Sequence, residues 1–96
     1  MQVEMEKIED LATKLNLSSD EILHQSLKAF LEKKLRELKS EIHQIHSKYG
    51  VSSVEGLEEK YKKGRIEEKD TWQDLQKLDH LEFKRDEIEK AVKDLK

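Results

Sequence analysis

Residues 18–50 read SSDEILHQSLKAFLEKKLRELKSEIHQIHSKYG, and the start, seam and stop of one long helix are legible in them. Ser18 followed three places on by Glu21 forms a capping box: the hydroxyl accepts from the Glu21 amide and the carboxylate reaches back. Leu17 before the cap and Ile22 after it fit a hydrophobic staple, so a helix is predicted to begin at Ser19. The next helix breaker is Gly50, which gives the element about 31 residues. Within it Leu31, Leu35, Leu38, Ile42, Ile45 and Tyr49 follow 4-3-4-3-4 spacing, the seam of a coiled coil or helical hairpin. Leu23, Leu27 and Leu31 step by four, a stutter that unwinds any supercoil locally. Gly50 with Val51 behind it reads as a glycine C-cap and its apolar contact.

On the N-terminal side, Met1 to Glu6 alternates apolar and polar, which permits a short strand. Met5, Ile8, Ala12 and Leu15 nevertheless recur on one helical face. A first helix is expected over about 4–15, its start left open between strand and helix. On the C-terminal side, Ser52-Ser53-Val54-Glu55 opens a short third helix with Val54, Leu57 and Tyr61 as its stripe, closed by Gly64. Arg65 to Lys69 is a charged connector. Asp70, with Gln73 three places on, caps a fourth helix to about Leu95. Its apolar positions are Trp72, Leu75, Leu78, Leu81, Ile88, Val92 and Leu95, with Arg85 interrupting them. The expected fold is all-α: one helical domain over 1–96 in which the fourth helix folds back antiparallel on the second.

Composition narrows the function. Charged residues make up 43% and apolar ones 34% of 96 residues, with no Pro and three Gly; turn-rich β architectures need more such punctuation. The 19 basic side chains are outnumbered by 22 acidic ones, which argues against binding that draws its affinity from neutralising phosphates. Without Cys there is no disulfide, thiolate metal site or cysteine nucleophile. No apolar run nears a membrane span and no signal-peptide pattern is present, so the expected location is the cytoplasm.

Geometry then calls for a partner. At 1.5 Å per residue the long helix is about 46 Å, whereas a compact chain of this size is only about 32 Å across. Self-association is expected through Leu23, Leu27, Phe30, Leu31, Leu35, Leu38, Ile42 and Ile45, giving a homodimer.

Catalysis finds little support. His43 and His46 share a face near the end of the long helix, and Glu21-x-x-His24 has the spacing used in di-iron bundles. Such a site needs that motif twice and two further inward Glu residues. His43 and His46 flank the seam and read as boundary side chains, so no metal or cofactor is expected. The carboxylates alternate with Lys and Arg on outer faces, without the desolvation that makes a general acid. Ser40, Ser47 and Ser52 lack a strained turn to present a nucleophile. Trp72, the single tryptophan, reads either as an anchor of the fourth helix against the second or as an interface hot spot.

Two stretches carry resemblances. Leu11 to Lys33 resembles the helix pair of ribbon-helix-helix domains, common in prokaryotic antitoxins and repressors, with Gln2 to Glu6 in the place of the ribbon. Glu4 and Glu6 would face phosphate there. Lys48-Tyr49-Gly50, Val54 to Lys60, Gly64-Arg65-Ile66 and Trp72-Gln73-Asp74-Leu75 are similar to a family of small archaeal and cyanobacterial antitoxin-like helical proteins. That resemblance, over roughly residues 42–83, implies a non-catalytic module whose C-terminal half, 51–96, clasps a toxin, typically an RNA-attacking or nucleotide-transferring enzyme. Leu57, Tyr61, Trp72, Leu75 and Leu78 would make the contact, while residues 1–50 self-associate. The alternatives are a structural hairpin homodimer without a toxin and, third, a DNA-binding autoregulator.

Overall fold

The computed structural model describes residues 5–64 and 71–95. They form four helices: α1 (Met5–Leu15), α2 (Ser19–Tyr49), α3 (Val54–Lys62) and α4 (Thr71–Asp94). No strand occurs among the described residues. Met5 and Glu6, two residues of the expected ribbon, are helical; Gln2 to Glu4 lie outside the described residues, as do the 65–69 connector and the Asp70 cap.

Local chemistry sets the boundaries. Ser18, in extended backbone, accepts from the Glu21 amide at 3.0 Å, and Ser53 does the same for Gly56 at 3.1 Å. Each satisfies an amide that the first helical turn leaves without an internal partner. Gly50 closes α2 at φ 64°, a left-handed conformation that a Cβ disfavours. The Val51 amide returns to the His46 carbonyl at 2.9 Å, completing a Schellman turn. A second such turn was not evident from the sequence. Asn16 takes φ 58° and lets the Leu17 amide reach the Ala12 carbonyl at 2.8 Å. Asn is the residue after Gly that best tolerates this conformation.

α4 runs antiparallel to α2, and three side-chain contacts mark the register: the Lys48–Asp74 and Lys39–Glu89 ion pairs and the His46–Glu82 hydrogen bond. Between the two helices and α3 lies the core of Ile42, Ile45, Tyr49, Val54, Leu57, Leu75, Leu78 and Leu81, with Leu38 and Val51 packed against it. At the other end α1 doubles back and buries Ile8 and Ala12. The result is elongated, 61 × 26 × 16 Å. Its radius of gyration of 19.5 Å far exceeds the 12–13 Å or so of a compact 96-residue domain. No helix among the described residues is long and apolar enough to cross a membrane.

Candidate partner-binding site

An apolar surface cleft lies where α3 meets the first two turns of α4. Trp72 and Tyr61 stand side by side there, ring centroids 6.0 Å apart and planes inclined by 38°. The offset, tilted arrangement suits two aromatic quadrupoles. Below them an open cleft of about 330 Å³ is lined by Val54, Leu75 and Gln76 and rimmed by Glu58, Lys62 and Asp79. Trp72 remains 53% exposed and Tyr61 41%. Trp72 thus packs on Tyr61 of α3, with about half of the residue exposed. Among the rim charges Lys62 and Glu58 pair at 2.8 Å, an exposed helical pair of small energetic weight.

The other residues expected to grip a partner have a different role. Leu57 and Leu78 are fully buried and Leu75 nearly so. They are the core beneath the cleft, and a partner cannot reach Leu57 or Leu78 without unfolding this end. Of the five, Tyr61 and Trp72 are the exposed ones, with Leu75 at the cleft floor. The residues expected to self-associate divide in the same way. Ile42 and Ile45 are buried under α4 and α3, and Leu31, Leu35 and Leu38 are partly covered. Leu23, Leu27 and Phe30 are exposed.

A polar cluster fixes the end of the molecule on which the cleft is built. The Tyr49 hydroxyl donates to Asp74 Oδ2, and Lys48 Nζ donates to the same oxygen at 2.8 Å. The two bonds, that from Lys48 first, hold the Asp74 carboxyl below the usual carboxylate range. Burial, with the bond to Asp74 second, pushes the Tyr49 phenol up, opposed by the Thr71 hydroxyl. Lys48 is held above its ordinary value, chiefly by its bond to Asp74. One turn further along, His46 Nε2 and Glu82 Oε2 meet at 2.9 Å in a partly buried setting. Lys60 reaches from α3 to the Tyr49 carbonyl at 2.9 Å and so occupies an acceptor left over at the end of α2. These cross-links join residues 11 to 36 positions apart, and no local motif announces them. Thr71 is the one buried polar residue among those described.

His43 is exposed beside the Ser47 hydroxyl, and Glu21 and His24 are exposed as well. No three His, Asp or Glu side chains converge on a metal-sized site among the described residues.

The comparisons agree with the archaeal half of the resemblance. A protein of Methanocaldococcus jannaschii named "Uncharacterized protein MJ0235" is 32% identical over 74 residues, which cover 77% of this chain and 89% of that protein. No solved structure matches the chain. The family model described as "Uncharacterized protein MJ0235 family" matches residues 1–96, and the chain belongs to that family.

Proposed function

We propose that this chain is a non-catalytic protein-binding module, antitoxin-like, that captures a partner through the Tyr61–Trp72 cleft. The observation that carries the reading is the half-exposed tryptophan stacked beside a half-exposed tyrosine over an apolar floor. Large rings held by a rigid scaffold contribute most of the energy in many interfaces, and they lose little rotamer freedom on binding. The scaffold condition is met: the cleft sits over the Leu57–Leu75–Leu78 core and beside the Lys48–Tyr49–Asp74 cluster. A small RNA-attacking or nucleotide-transferring enzyme is the partner class the antitoxin resemblance implies, masked by contact and not by chemistry.

The test is capture from the native host followed by mutation. A small enzyme of that class co-eluting in fixed stoichiometry, and released at least tenfold more readily from the Tyr61→Ala/Trp72→Ala variant, would support the reading. Circular dichroism must show the variant still folded. Recovery of the wild-type protein without such an enzyme would sink it.

A further inference from the structure

We infer that the bare N-terminal half of α2 is the docking site for a second copy of this chain, laid antiparallel to the first. The seam that reads Leu38, Ile42, Ile45, Tyr49 along α2 is roofed by α4. At 3.6 residues per turn the same stripe continues backwards through Leu31, Leu27 and Leu23 to Asp20. α4 does not follow it. The Lys39–Glu89 pair fixes the register, so α4, which ends at Asp94, stops near Lys34 and leaves the first ~22 Å of α2 without a roof. α1 covers a neighbouring flank, burying Ile8 and Ala12 while leaving the Leu23 and Leu27 stripe open. A helical seam is thus built for its whole length and covered for only part of it.

The open part is large enough to hold a dimer. Leu11, Leu15, Leu17, Leu23, Leu27 and Phe30 are each 41–60% exposed. A standard interface buries ~800 Å² per partner, and these side chains supply its apolar part. The flanking backbone and polar atoms of α1 and α2 supply the remainder.

Charge selects the occupant and its direction. α2 opens with Asp20 and Glu21, and Lys28 follows two turns on along the same flank as Glu21; beyond it Glu32 stands among the lysines and Lys34 pairs with Glu37. An antiparallel second copy with Leu23 of one chain against Leu27 of the other brings Glu21 of each chain beside Lys28 of the other. A parallel copy would set like charges side by side. The patch is therefore self-complementary under a twofold axis, the condition for an isologous dimer. This inference does not rest on partner capture at Trp72, which lies at the opposite end of the molecule.

Light scattering and sedimentation of the full chain test it. The wild type is expected as a dimer at tens of micromolar, and Leu27→Glu as a monomer with unchanged helical content and an unchanged melting transition of the α2–α4 end. Glu21→Lys should weaken the dimer by about tenfold, or ~1.4 kcal/mol. Adding Lys28→Glu to the same chain should restore it. Trp72→Ala should leave it intact. A monomeric wild type, or a Leu27→Glu variant that still dimerises, overturns the docking site; a Glu21→Lys/Lys28→Glu variant that stays weak overturns the antiparallel arrangement.

Discussion

The two ends of α2 carry the same apolar spacing and have opposite surroundings. Ile42, Ile45 and Tyr49 are sealed beneath α3 and α4, and polar side chains lock the edges of that packing: Lys48 and Tyr49 on Asp74, His46 on Glu82, Lys60 on the helix terminus. Leu23, Leu27 and Phe30 have one short helix on a neighbouring flank and no cross-linking ion pair to another element among the described residues. Periodicity therefore establishes that a face is apolar, and only the lengths of the neighbouring helices decide whether that face becomes core or surface.

The contrast can be broken most forcefully at its packed end. Leu78→Ala removes a fully buried side chain from between three helices. It should cost about 3 kcal/mol in urea unfolding, within the 2–5 kcal/mol typical of such cavities. Leu27→Ala, with half the residue already in water, should change the unfolding free energy of the monomer by less than about 0.5 kcal/mol. Equal losses would mean that the two ends fold as one uniform unit.

A smaller effect should appear at the polar cluster. Asp74→Asn should destabilise by roughly 1–2 kcal/mol at neutral pH through lost charge-assisted bonds. The pH dependence has a definite sign. The Asp74 carboxyl is depressed in the folded chain, so its stabilisation is present above the ordinary carboxylate value and is lost as pH falls through the folded one. Tyr49 is raised; its stabilisation is present below the ordinary phenol value and is lost as pH rises through the folded one. Urea midpoints of wild type and Asp74→Asn should accordingly converge toward low pH.

A local effect sharpens the comparison at the cap between α1 and α2. Ser18→Ala should cost about 1 kcal/mol and act on the bare end alone. Hydrogen exchange should quicken over residues 19–30 while amides of 42–49 keep their protection. Uniform acceleration along α2 would show instead that the long helix opens as a whole.

Much of this architecture was legible before any coordinates. Ser18, Ser53 and Gly50 each act on backbone groups within a few residues, so the chain itself contains everything needed to place those boundaries. The fold-back of the fourth helix follows from a seam that needs covering. Asn16 was missed because its side chain merely tolerates a left-handed backbone and does not require one. Asp74 and Glu82 look like any other charged residues of an amphipathic helix until α2 is laid beside them. The site expectation split for a related reason. Leu57, Leu75 and Leu78 share a stripe with Trp72 and Tyr61, and spacing alone does not reveal which members of a stripe lie under the others.

The 61 Å length of the chain has a consequence for stoichiometry. The Tyr61–Trp72 cleft sits at one extreme of that length and the bare stripe of α2 toward the other. Two copies joined at the stripe point their clefts outward, at the far tips of a rod. A compact enzyme of ordinary domain size, ~30–40 Å across, cannot bridge them. In the proposed dimer each cleft would hold its own ligand, so pairing would add no avidity toward a monomeric target. What such a rod would provide is spacing, which favours targets that are themselves paired or arrayed at a matching distance.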